Sequence, residues 1–159
     1  MQNFTPQNPS YEQVVRDSFS RQPFMALMGA RMGQVAPGRC DILVDWRHDL
    51  TQQHGFFHGG MVSSIADSAA GYAAYTLFPK ESTVLTVDFK VSFLNPSKGD
   101  HILASAEVIR AGEKIYHVKA EVFAFSGEIK THCLSGIFTM MCLQGKSDAV
   151  NLGRKDEVS

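Results

Sequence analysis

The stretch "HGFFHGGMVSSIADSAAGYAAYTL", residues 54–77, opens on histidines and glycines and runs into a helical pattern with one charge, Asp67, among alanines and small residues. Met61, Val62, Ile65, Ala66, Ala69, Ala73 and Leu77 recur at i, i+3, i+4 spacing, which predicts a helix from Gly59 to Leu77. Ser64, Asp67, Ser68, Gly71 and Tyr75 fall on another side. That stripe is small and weakly polar, as a helix needs when its back packs closely against another backbone. The helix is therefore expected to be buried nearly all round. Burial costs a carboxylate heavily unless it is hydrogen-bonded or put to use, so Asp67 requires either a structural partner or a chemical task.

Downstream of the "FPKES" break, everything to about Leu143 reads as strand. In "TVLTVDFKVSFLNP", Leu85, Val87, Phe89, Val91 and Phe93 alternate with Thr86, Asp88, Lys90 and Ser92, predicting one core face and one polar face. Three more strand-like runs follow, parted by the turn signals "RAGEK" and "FSGEI". Upstream, Tyr11, Val14, Val15 and Phe19 have helical spacing behind Ser10 as N-cap, and Pro23 breaks the run before a short helical turn. "ARMGQVAPGRCDILVDW" reads as a hairpin about "APG", and "RHDLTQQHGFFH" has no clean period and reads as a loop. The order is helix, hairpin, long helix, then a meander of four long strands. An antiparallel sheet with one apolar face buries that face by wrapping around the single long helix. The expectation is one α+β domain over 1–159, with an N-terminal helical part at about 9–28, a core at about 29–143 and a frayed polar tail at 144–159.

With 44% hydrophobic and 19% charged residues, the composition is that of a globular protein with a real core. The formal net charge of -1 provides no positive field for nucleic acid or an anionic membrane surface. No stretch approaches the roughly 18 apolar residues of a membrane span, and "MQNFTPQNPSYEQ" has neither the basic start nor the apolar core of a signal peptide, so a cytoplasmic location is expected. Cys40, Cys133 and Cys142 are odd in number and lack CxxC spacing, so they are read as reduced packed thiols, with neither a disulfide nor a metal site expected. Met25, Met28, Met32, Met140 and Met141 are read as packing residues, although methionine also suits a forgiving apolar pocket.

This architecture, with "HGGMVSSIADSAAG", resembles the hotdog-fold acyl-CoA thioesterases, in particular the branch of the phenylacetate-degradation thioesterase. The resemblance runs from about Phe19 to Leu143. It rests on HGG at the helix start, an aspartate seven residues after the second glycine, an alanine-rich continuation and the strand "TVDFKVSFLNP". It implies that the backbone N–H of Gly59 polarises the thioester carbonyl and that Gly60 keeps the approach open. The first N–H groups of a helix lack internal partners and carry the positive end of its dipole, which suits that role. It implies that Asp67 is the catalytic carboxylate, either a general base that activates water or a nucleophile.

Gln52 stands where many relatives carry asparagine, and its amide suits a role in holding water or the carbonyl. His58 is the HGG histidine, with loop stabilisation and thioester binding both open to it. Thr86 aligns with a hydroxyl residue that places water near the aspartate. Substrate contacts are expected from His54, Phe57, Ser64 and, toward the phosphates of coenzyme A, Lys90, Arg110 and Lys114; Phe56 and Phe57 either line the acyl pocket or close the core. No cofactor is implied. Gly59 and Asp67 lie eight residues apart, roughly 12 Å at about 1.5 Å per residue, too far to serve one reacting bond from one helix. In the resembled family the answer is a homodimer with shared sites, often paired into a homotetramer, and both are expected here. Two other readings remain: a non-catalytic acyl-CoA-binding protein, and a hotdog dehydratase or hydratase, for which the helix lacks the required histidine.

Overall fold

The computed structural model describes residues 3–149. Two short helices, α1 (Tyr11–Ser20) and α2 (Pro23–Met28), precede the hairpin β1 (Arg31–Ala36) and β2 (Arg39–Asp45). The long helix α3 (Gly59–Tyr75) follows, then β3 (Ser82–Phe93), β4 (His101–Ala111), β5 (Ile115–Ser126) and β6 (Ile129–Gln144). Pro23 at the first turn of α2 starts a helix instead of merely ending one, because the missing N–H would have had no partner there. Ser10 occupies the N-cap of α1 but makes no side-chain cap bond; instead, its N–H donates to Asn8 Oδ1 at 3.0 Å.

The six strands form one antiparallel sheet in the order β1-β2-β4-β5-β6-β3. The expected four-strand meander is therefore corrected: only β4, β5 and β6 follow one another. Helix α3 leaves β2 and packs against β2 through β6 on one face of the sheet. It delivers the chain to the far edge, where β3 pairs with β6. The core lies between α3 and that face. Alanines 66, 69, 70 and 73 on the helix, and 104, 106, 120 and 124 on β4 and β5, are buried and allow helix and sheet to approach closely. Ile42, Ile65, Ile102, Val122, Leu134 and Phe138 fill the remaining space, and full burial of each such side chain contributes about 1.5–3 kcal/mol. All three cysteines are buried free thiols.

The strict alternation expected along β3 is also corrected. A bulge lies between Thr86 and Asp88: Thr86 sits opposite Met140, whereas Asp88 sits opposite Thr139 and Phe89 opposite Phe138. Residues directly opposite in an antiparallel pair share a face. Phe138 and Met140 are buried against the helix side, so Phe89 and Thr86 share that side despite their odd spacing. One inserted residue shifts the pleat and aims the Thr86 hydroxyl at α3. Val84 and Val91 pack partly buried against the core, whereas Leu85 and Phe93 are each 54% exposed on this sheet edge.

The second half of α3 is buried all round, as expected, but the first half is not. Ser63, Ser64, Asp67 and Ser68 are half-buried and Gly60 is exposed. Within the stretch expected to fray, β6 reaches Gln144 and the Asp148 carboxylate accepts from Arg21 at 2.6 Å and Thr83 at 2.8 Å. The rest of that tail, 150–159, lies outside the described residues.

Candidate functional site

The irregular segment before α3 is held by backbone bonds that fix where the helix begins. Phe57 N–H donates to Ser97 O and His58 N–H to Leu50 O, both at 2.9 Å. His58 then takes the N-cap position in extended conformation, and its Nδ1 accepts from Gly60 N–H at 2.9 Å. An accepting Nδ1 fits a neutral ring with the proton on Nε2. Of the two roles open to His58, the structure displays the loop-stabilising bond.

That cap takes up the Gly60 N–H. The Gly59 N–H, at the first helical position, has no hydrogen-bond acceptor among the described residues. Gly59 lines a cleft of about 400 Å³ with Gln52, Phe57, Phe93 and Asn95. The Gln52 side-chain oxygen accepts from His54 N–H and its backbone N–H donates to Phe56 O, so the residue is anchored in the loop. Phe57 is buried, whereas Phe56 is half-buried on the same cleft.

Asp67 stands in a different cleft, of about 300 Å³, between α3, α2 and the start of β3. Its Oδ1 accepts from the Thr86 hydroxyl at 2.8 Å. Partial burial pushes the Asp67 carboxyl above the usual value of 3.8, and the Thr86 hydrogen bond pulls it partly back. Burial makes ionisation costly and a single donor compensates only in part. The result is a carboxylate that lines a cleft and whose second oxygen has no hydrogen-bond partner among the described residues. Ser64 shares this cleft, but its hydroxyl donates to Gly60 O at 2.8 Å, one turn back along the helix.

Of the residues singled out in the sequence, the structure brings Asp67, Thr86 and Ser64 together in one cleft, and Gly59, Gln52 and Phe57 in another. His54, Lys90, Arg110 and Lys114 are exposed and line neither. Sequence reasoning missed Gln22, Phe24 and Tyr72, which wall the Asp67 cleft. Tyr72 lies on α3 itself, and that α2 with Gln22 and Phe24 docks beside it is a tertiary fact. A larger cavity of about 560 Å³ lies between α1 and residues 145–149. It holds none of these groups, and its charged rim is spanned by the Arg21–Asp148 pair.

The thioesterase superfamily model matches residues 54–130. Among solved structures, a thioesterase family protein from Silicibacter pomeroyi is 45% identical, with a TM-score of 0.84, and the match covers 85% of this chain and 99% of that one. The Escherichia coli PaaI protein, from the phenylacetic acid degradation operon, has the same fold at 17% identity, with a TM-score of 0.77 over 88% of this chain and 98% of that one. The medium/long-chain acyl-CoA thioesterase YigI of Escherichia coli K12 is 31% identical over 78 residues, 41% of this chain and 50% of that protein. Across the curated relatives the matched stretch spans 50% to 75% of their own length. With a sheet wrapped around one long helix, and with the identity to the Silicibacter protein sustained over most of both chains, this chain belongs to the thioesterase superfamily, the hotdog-fold hydrolases of thioester bonds.

Proposed function

We propose that the protein hydrolyses an acyl-CoA thioester to the free acid and coenzyme A, in a homodimer whose two chains each supply part of each site, within the PaaI-like branch. The observation that carries this reading is the Asp67 carboxylate, hydrogen-bonded to Thr86 and open to a cleft, on a helix whose first N–H meets no acceptor among the described residues. The thioester carbonyl oxygen accepts from the Gly59 N–H of one chain, which stabilises the negative charge that builds there during attack. Asp67 of the other chain takes the proton of a water whose oxygen bonds to the carbonyl carbon, or attacks that carbon itself and is released by water. In either route the C–S bond breaks and the sulfur leaves as thiolate. Both routes need Asp67 ionised. The PaaI-like HGG and aspartate spacing and the acyl-CoA activity named for YigI support the choice of substrate.

The dimer is supported by two features. Gly59 and Asp67 open into different clefts of one chain. Strand β3 is the sheet edge beyond β6, and it carries half-exposed Leu85, Val87, Phe89 and Phe93. A long apolar edge invites pairing, and a second copy of β3 would both cover it and bring the Gly59 of one copy toward the Asp67 of the other. Exposed Ile109 and Ile137, on β4 and β6, offer further apolar surface for joining two dimers into a tetramer.

Free thiol release from acetyl-, hexanoyl-, decanoyl-, palmitoyl-, benzoyl- and phenylacetyl-CoA tests the activity, and sedimentation tests the assembly. Turnover of at least one ester by a dimer or tetramer is expected. Tight binding of the esters without turnover would favour an acyl-CoA-binding protein, and a catalytically active monomer would remove the shared site. Thr86→Val provides a finer check. Loss of the donor raises the Asp67 pKa further, so the acid limb of kcat/KM moves to higher pH and activity falls more at pH 6 than at pH 8; an unmoved limb would separate Thr86 from the titrating group.

A further inference from the structure

No contact among the described residues of the chain requires glycine at position 71. Gly71 sits inside α3 with ordinary helical backbone, where glycine is the least favourable residue after proline. A Cβ built there would meet only the Val84 methyls, at 3.9 and 4.0 Å, an ordinary contact. Gly136 is different: a Cβ there would stand 2.7 Å from Val91 Cγ1 and 2.9 Å from the Lys90 carbonyl, so close packing requires that glycine.

What the missing side chain at 71 does leave is room in the Asp67 cleft. Gly71 follows Asp67 by four residues, so it lies on the same face one turn along. Both line the cleft, with Val84 on one side and Phe24 and Met25 of α2 on the other. The Tyr72 hydroxyl, held by the Gln22 amide at 2.8 Å and the Ser18 hydroxyl at 3.2 Å, fixes the ring that walls its end. Ser18, Tyr72 and Met25 are buried, so this wall does not yield freely.

We infer that Gly71 sets the size of the acyl group: the acyl moiety lies over Gly71, between Val84 and α2, with its carbonyl carbon at Asp67. Within one chain the cleft's volume of about 300 Å³ is at the small end for ligand sites, so a methyl group added at its wall takes room that the acyl group would use. The inference rests on the thioesterase reading of the same site.

The test is kcat/KM over the same acyl-CoA panel for wild type and Gly71→Ala, with thermal unfolding of both. Gly71→Ala is expected to unfold at the wild-type temperature or above. For it, the ratio of kcat/KM for the largest good substrate to that for acetyl-CoA falls by roughly tenfold or more, the discrimination that one methyl-sized change in a tight pocket commands. A parallel profile overturns the inference. So does a clearly lower unfolding temperature, because the glycine would then serve packing. Asp67→Asn measured alongside separates the two levels. If wild type hydrolyses no ester, or the Asn variant retains full turnover, the thioesterase reading itself fails; if turnover depends on Asp67 and the profile does not move, only the assignment of Gly71 fails.

Discussion

Asp67→Asn should lower thioester turnover by about 10³-fold, the scale of a positioned acid–base group, and should leave the protein at least as stable at pH 7. The loss follows from chemistry: an amide neither accepts the proton of water nor attacks a carbonyl under these conditions. The stability follows from linkage. Burial raises the Asp67 pKa in the folded chain above its unfolded value near 3.8. The folded state then binds the proton more tightly, so the favourable contribution is present below the unfolded pKa and disappears as pH rises through the folded one. At pH 7 the ionised carboxylate works against folding, and asparagine removes that charge while its side-chain oxygen still accepts from Thr86. An enzyme that becomes more stable as it loses activity is what a charge kept for chemistry produces. The same raised pKa places the acid limb of kcat/KM above the usual aspartate range. Turnover within tenfold of wild type in the Asn variant would exclude Asp67 as base or nucleophile, and a marked drop in unfolding temperature would make it a structural residue.

How much of this was legible before the structure depends on whether a local pattern determined it. The helix read from Gly59 to Leu77, the irregular segment before it and the strand runs follow from spacing, turn residues and apolar periodicity; the observed helix starts at Gly59 and ends at Tyr75, two residues short of that reading. Sheet order did not follow, because nothing local in β3 distinguishes pairing with β4 from pairing with β6; the path of α3 across the sheet decides it. The bulge at Thr86/Asp88 was equally hidden, since a perfect alternation in sequence gives no sign of an inserted residue. Yet that bulge turns Thr86 toward Asp67. The carboxylate and the glycine pair were legible as a motif, whereas the wall of Gln22, Phe24 and Tyr72 depends on how α1 and α2 dock over α3. Lys90, within β3, and Arg110 and Lys114, beside the β4–β5 turn, line neither cleft of the single chain, a placement that no local pattern gives.

Gly59→Pro should lower kcat by roughly 10²- to 10³-fold, the worth of one oxyanion donor, with the helix intact. Proline suits the first helical position, where the N–H has no partner within the helix to lose. The preceding residue, His58, has φ −64° and ψ 132°, the extended conformation that a following proline requires. A Cβ at position 59 would stand 3.2 Å from the ring of Phe93, which is 54% exposed within one chain, so a shift of the ring by a few tenths of an ångström admits it. The substitution removes the donor and places the ring carbon Cδ, bonded to the nitrogen in place of the hydrogen, where the carbonyl oxygen would approach, so the loss should reach or exceed the worth of one donor, and an unchanged circular dichroism spectrum should accompany it. Combined with Asp67→Asn it also tests the shared site. In a mixed dimer, one site carries both defects and the other carries neither, because the intact Gly59 comes from one chain and the intact Asp67 from the other. Refolding the two inactive variants together in equal amounts makes half of the two-fold dimers mixed, each with one sound site, so activity should return to about a quarter of wild type. If both groups of a site came from one chain, every site would keep a defect and the mixture would stay inactive. That outcome would leave the catalytic roles standing and move the whole site into a single subunit.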